Sequence, residues 1–184
     1  MPDVGEILDL FAHRGGSQYG GEAVSQLQHA LQCAALAERA QATPELIVAA
    51  LLHDIGHLLH ELPDDAPDQG VDDHHENSGG SFLCDIFPNA VTVPIRLHVD
   101  AKRYLCAIDG CYRSQLSEPS QVSLELQGGP MTPEEVAEFE LGPFARDAAN
   151  LRRWDDAAKD PDCETPPISH FAEYLHNVAI NSSL

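Results

Sequence analysis

Apolar residues along this chain recur at helical spacing, in blocks separated by proline, glycine and acidic turns. No stretch alternates with period two long enough to make a strand. Residues 4–16, VGEILDLFAHRGG, predict a short amphipathic helix ended by glycines, and residues 22–40, EAVSQLQHALQCAALAERA, predict a second helix. A third begins with Thr43 as N-cap and Pro44 in the first position and continues through ELIVAALLHDIGHLL. It is apolar nearly all round, the mark of a buried central helix. Residues 61–73, ELPDDAPDQGVDD, carry no periodicity and read as an acidic loop. Further helices are predicted over 75–87, 92–108, 117–126 with Ser117 as N-cap, 133–141, 143–158 and 168–180. Thr132 and Glu135 form a capping box before the 133–141 helix. The fold class is all-α, and 184 residues suit one helical-bundle domain over 1–184.

The helices carry donors of one chemical kind. In chain order these are His29, His53, Asp54, the His74-His75 pair, His98 and Asp155. Four imidazoles and two carboxylates are too many for one catalytic metal that keeps an open position, and about right for two octahedral ions sharing a carboxylate. Nitrogen and oxygen donors without thiolate point to iron or manganese rather than structural zinc. His53 and Asp54 are adjacent, so on a helix they point about 100° apart and suit a two-metal centre, with Asp54 bridging. An ionised aspartate inside AALLHDIGHLL is costly to bury unpaired, and a metal relieves that cost. Of His74 and His75 either can be the ligand; His75, followed by a glutamate where the helix starts, is chosen.

Charge narrows the partners. The formal net charge of −20, from 30 acidic and 10 basic residues, argues against nucleic acid and anionic membranes. With so few cations, Lys102, Arg103, Arg152 and Arg153 near the donors stand out as anion holders. Lys102 follows His98 by four residues and Arg152 precedes Asp155 by three, each pair on one helix face, whereas Arg103 and Arg153 fall on other faces as surface pairs. Ser120 and Ser123 share a face at i, i+3. Five cysteines without a C-x-x-C pair and the lack of an N-terminal apolar segment predict a cytoplasmic protein with reduced thiols. No apolar run approaches the ~18 residues of a membrane span.

The H…HD…H…H…D order resembles the HD-domain superfamily, in the version whose two additional histidines hold a mixed-valent di-iron centre. Local sequence is similar to its oxygenases that cleave carbon–phosphorus bonds, those acting on 2-amino- and 2-trimethylamino-1-hydroxyethylphosphonate. The similar stretches are QLQHALQCAALA, LIVAALLHDIG, HHE, HVDAKRYL, LELQGGPM and RRWD, within residues 17–156. The resemblance implies that His29, His53, Asp54, His75, His98 and Asp155 hold two iron ions, Fe2+ and Fe3+, with Asp54 bridging. It implies that Lys102, Ser120, Ser123 and Arg152 hold the phosphonate. Tyr19 would occupy a metal position until substrate arrives, and Glu22 would receive the substrate ammonium. Glu22 has a second reading, as a first-turn acid favoured by the helix dipole. His57, at i+4 from His53, is a candidate hydrogen-bonding group behind the ligands. Substrate and O2 would give phosphate and glycine betaine or glycine. Gly20-Gly21 leave room for a bulky head group, and a wall that includes His57 and His60 asks little hydrogen bonding of it, which points to trimethylammonium. Two other readings share this core: a metal-dependent phosphohydrolase and a non-catalytic signalling or scaffold module.

Overall fold

The computed structural model describes residues 2–59 and 73–180, which form ten α-helices and, among the described residues, no strand. The loop expected over 61–73 lies outside them except for Asp73, and so does His60. The helices are α1 (Val4–Arg14), α2 (Gln26–Arg39), α3 (Pro44–Leu52), α4 (His75–Leu83), α5 (Asn89–Ile108), α6 (Tyr112–Gln115), α7 (Glu118–Leu126), α8 (Pro133–Leu141), α9 (Ala145–Ala157) and α10 (Ile168–Val178). Among the described residues no helix is long and apolar enough to cross a membrane.

Helix α3 is the centre of the packing. Every residue from Leu46 to Leu52 is buried, against α2, α5, α9 and α10. Phe171 and Leu175 of α10 lie fully buried in the same core. A second, smaller cluster of Leu105, Tyr112, Leu116 and Leu124 fixes α6 and α7 against the end of α5. The caps on Thr43, Ser117 and Thr132 form as their sequences predict, each side chain accepting from the backbone three residues on.

Three boundaries differ from the sequence reading in ways that matter for the site. Helix α2 starts at Gln26 rather than residue 22, because Ser25 and Gln28 close a capping box there. Glu22 is therefore not a first-turn acid. It sits in a turn with Gly20 at φ 41° and Gly21 at φ 79°, left-handed conformations that glycine adopts without strain. Helix α3 does not run on through His53-Asp54. It ends at Leu52, Asp54 takes φ −103° and ψ 13°, and a 3-10 turn (Ile55–Leu58) follows. That turn lies directly on α4, where a Cβ on Gly56 would stand 2.1 Å from the His75 carbonyl oxygen. The glycine thus permits the approach that brings Asp54 beside His75. Helix α5 begins at Asn89 behind Pro88, three residues earlier than expected, and accommodates Pro94 inside it. Smaller differences are frayed ends: α4 stops at Leu83, α9 begins at Ala145, and α10 ends at Val178.

Candidate metal centre and anion pocket

Four imidazoles converge in the bundle interior from α2, the end of α3, the first residue of α4 and the middle of α5. His29, His53 and His98 each place Nδ1 on a backbone carbonyl, of Ala158 at 2.9 Å, Ala50 at 2.9 Å and Ile95 at 2.6 Å. His75 places Nδ1 2.8 Å from Asp73 Oδ1. A carbonyl or carboxylate oxygen can only accept, so each Nδ1 carries the proton and each Nε2 presents a lone pair inward. These lone pairs meet in twos: His29 and His53 Nε2 are 3.2 Å apart, and His75 and His98 Nε2 are 3.1 Å apart.

Asp54 joins the two pairs. Its Oδ2 lies 3.5 Å from His29 Nε2 and 3.2 Å from His53 Nε2, and its Oδ1 lies 3.3 Å from His75 Nε2 and 3.4 Å from His98 Nε2. Asp155 serves the first pair alone, with Oδ1 3.4 Å from His29 Nε2 and Oδ2 3.8 Å from His53 Nε2. Neither oxygen of Asp54 receives a hydrogen bond, although the residue is buried. A buried carboxylate surrounded by nitrogen lone pairs is strongly unfavourable without a cation. Burial opposes charge on His75, yet the carboxylates of Asp54 and Asp73 outweigh it and raise its pKa to about 10, so that without a metal its Nε2 takes up a proton in place of that cation. The field at this cluster thus calls for positive charge. The residues fit two metal ions: one set of His29, His53, Asp54 and Asp155, and one of Asp54, His75 and His98. The second set is one donor poorer, which leaves an octahedral ion more open positions.

The surroundings open on that poorer side. A pocket reaches Asp54, His75, His98 and Asp155, and its other wall carries Lys102, Ser120, Ser123 and Arg152. Lys102 Nζ donates to Ser123 Oγ at 2.8 Å, and Arg152 Nη2 lies 3.5 Å from Ser120 Oγ. Arg152 is anchored by Asp155 at 2.7 Å and by Asp156, which also accepts from Tyr112. Burial works against the guanidinium, but these carboxylates raise its pKa well above the ordinary value. Burial, reinforced by the positive Arg152 nearby, lowers Lys102 to about 7. Two cations and two hydroxyls therefore face one space beside the metal donors. Such a set suits a tetrahedral dianion.

Tyr19 and Glu22 reach the same pocket from the glycine turn. The Tyr19 ring stacks on His29 at 3.8 Å between centroids, and its hydroxyl lies 3.4 Å from Asp155 Oδ1. Glu22 Oε1 accepts from Lys159 Nζ at 2.8 Å. His57 stands behind the ligands, on the α4 side of the centre. The break after α3 turns it towards α4, where it stacks on His75 at 3.9 Å and its Nδ1 meets Asp73 Oδ2 at 2.8 Å. His75 and not His74 aims at the cluster: the His75 side chain is 10% exposed, the His74 side chain 69%. Arg103 pairs with Asp100 and Glu135, and Arg153 is exposed.

Sequence reasoning missed Lys159, Asp73 and Asp156. Lys159 lies two residues past the end of α9; the scarcity of basic residues and its i, i+4 spacing from Asp155 are the signals that single it out. Asp73 fell in a stretch without periodicity. The Ser25-x-x-Gln28 pattern, a legible capping box, places Glu22 outside α2.

Comparison with protein families matches residues 27–134 to the HD domain. The chain is 48% identical to hydroxymethylphosphonate dioxygenase of Gimesia maris, over 91% of this chain and 84% of that protein. It is 47% identical to [1-hydroxy-2-(trimethylamino)ethyl]phosphonate dioxygenase (glycine-betaine-forming) of Leisingera caerulea, over 96% of this chain and 95% of that one. An uncharacterised protein of Acanthamoeba polyphaga mimivirus is 36% identical, over 95% of this chain and 81% of its own. Matched to that family over residues 27–134, more than half of its length, the chain belongs to the HD-domain family.

Proposed function

We propose that this protein is a di-iron oxygenase that cleaves the carbon–phosphorus bond of a 1-hydroxyalkylphosphonate with O2. The names of the two dioxygenase relatives support the reaction class. The observation that carries the reading in this chain is Asp54, whose two oxygens each face a histidine pair, with the three-donor side open to the anion pocket. The overall change is R–CH(OH)–PO3H2 + O2 → R–COOH + H3PO4. It balances without an external reductant, because the carbon bearing phosphorus supplies all the electrons.

His29, His53, Asp54 and Asp155 would hold one iron ion and Asp54, His75 and His98 the other, in a mixed-valent Fe2+/Fe3+ pair. When bound, the pair would supply O2 activation and a chelating site for the C1 hydroxyl. Lys102, Arg152, Ser120 and Ser123 hold the phosphonate, and so set C1 between the anion pocket and the open side of the centre. Lys102 and Arg152 are buried, so their charges act on the phosphonate with little screening by water. Tyr19 covers the metal donors until substrate enters. Its ring and the Glu22 carboxylate bound the space beyond C1, where a trimethylammonium head group would lie. Five free thiols support a cytoplasmic setting.

The test is aerobic incubation of the iron-loaded protein with hydroxymethylphosphonate and with 1-hydroxy-2-(trimethylamino)ethylphosphonate. The expected result is phosphate release matched one-to-one by O2 uptake, with two irons per chain and a mixed-valent EPR signal. Phosphate release from a phosphate monoester in a parallel incubation, without O2 uptake, would turn the reading to the phosphohydrolase, and inertness of the loaded protein towards all three compounds would turn it to the scaffold module.

A further inference from the structure

Lys159 supplies an ammonium at the very place where a cationic substituent of the substrate would sit. Its Nζ is 2.8 Å from Glu22 Oε1 and 5.9 Å from the centroid of the Tyr19 ring. It also donates to Ser117 Oγ and Ser120 Oγ, each at 3.0 Å. Carboxylate and aromatic face are the two groups that recognise an alkylammonium. Here both are engaged by a side chain of the protein. The ion pair is largely buried, with 13% of the lysine side chain and 15% of the glutamate exposed.

The placement is built into the fold. The backbone on both sides of Lys159 is fixed to α2: the Ala158 carbonyl accepts from His29 Nδ1, and Asp160 exchanges hydrogen bonds with Gln32 at 2.8 and 3.2 Å. Lys159 therefore stands at a set distance from a metal-facing histidine, on the rim of the anion pocket. We propose that Lys159 is a specificity-determining residue, which fills the subsite for the 2-substituent with its own ammonium and weakens the preference for a cationic head group. This rests on the oxygenase reading above. A trimethylammonium must displace Lys159 from Glu22 to gain that carboxylate. Hydroxymethylphosphonate, with no 2-substituent, leaves the pair in place. The subsite thus bears on both substrate types named among the relatives.

The experiment measures kcat/KM for 1-hydroxy-2-(trimethylamino)ethylphosphonate and for hydroxymethylphosphonate, and takes their ratio in the iron-loaded wild type and in variants. Equilibrium binding of both compounds without O2 gives a second readout. Lys159→Met frees Glu22 and is expected to raise the ratio at least tenfold, through KM and the binding constant. Glu22→Gln leaves Lys159 unbalanced, and is expected to lower the ratio below wild type. The double variant should return towards wild type, and Lys159→Arg should keep the wild-type ratio. A merely structural lysine would lower both rates together and leave the ratio unmoved. If the wild type turns over phosphonate but the ratio stays within twofold in Lys159→Met and Glu22→Gln, the inference is overturned and the oxygenase reading stands. If the loaded wild type cleaves neither compound, the oxygenase reading fails and the inference goes with it.

Discussion

His75 rests its Nδ1 on the carboxylate of Asp73 at 2.8 Å, whereas the three other inward-facing imidazoles rest theirs on backbone carbonyls. A carboxylate makes its imidazole a stronger donor than a carbonyl does, and a side chain can be replaced where a backbone cannot. Asp73→Asn should therefore weaken metal on the His75/His98 side by about 10–100-fold and leave the His29/His53 side filled. Metal content after graded dialysis against a chelator would show one ion lost before the other. Simultaneous loss of both would argue against separate anchoring.

The four-donor set makes a sharper demand. His29→Ala or Asp155→Ala should abolish both metal retention and turnover, while His74→Ala, altering a largely exposed side chain, should retain most of the metal. An empty site in His74→Ala together with a full one in His75→Ala would reverse the ligand assignment.

Lys102 gives the pH dependence. Its pKa is lowered to about 7, so the ammonium is complete below that value and is lost as pH rises through it. Affinity for a phosphonate dianion should fall on the alkaline side, with KM rising towards a factor of ten per pH unit. Lys102→Arg keeps its charge and should remove that rise. Lys102→Ala should weaken substrate binding below pH 7 by about 1.5–3 kcal/mol, with metal retained, and the loss should shrink as pH rises past 7. A KM that stays flat across pH 6–9 in the wild type would contradict the assignment.

Gly56 carries a prediction for the fold. A methyl group there would meet the His75 carbonyl at 2.1 Å, and backbone must move to admit it. Gly56→Ala should cost about 1–3 kcal/mol of stability, and the shift of the 3-10 turn from α4 should weaken metal binding as well. Thermal unfolding with and without metal measures both effects. An unchanged melting temperature would contradict a tight contact between the turn and α4.

The cluster of candidate metal donors was legible in the sequence because metal chemistry selects few residue types, and the helices are separated by plain caps and breakers. Capping at Thr43, Ser117 and Thr132 is local, so it is written where it acts. The end of α3 is not local. The apolar run ELIVAALLHDIGHLL favours one continuous helix, and the break comes from the contact between Gly56 and α4, two segments apart in sequence. The partner of His57, Asp73, is illegible for the same reason, since the turn that brings the two together is set by that contact. Lys159 depends on where the chain goes after α9, which Gln32 and His29 decide from across the bundle.

Helices α5 and α9 each carry one metal-facing residue and one cation of the anion pocket a single turn apart, His98 with Lys102 and Asp155 with Arg152, in opposite chain order. At 1.5 Å per residue the separations along the axes are about 6 and 4.5 Å. The two rods pack against each other, so on the oxygenase reading the gauge between metal and phosphonate would be read twice and could not be stretched on one side alone. Such a centre would measure which carbon bears the hydroxyl. An isomer with its hydroxyl one carbon further from phosphorus would seat its phosphonate in the same cations and carry its oxygen past the open side of the centre, binding as an inhibitor rather than as a substrate.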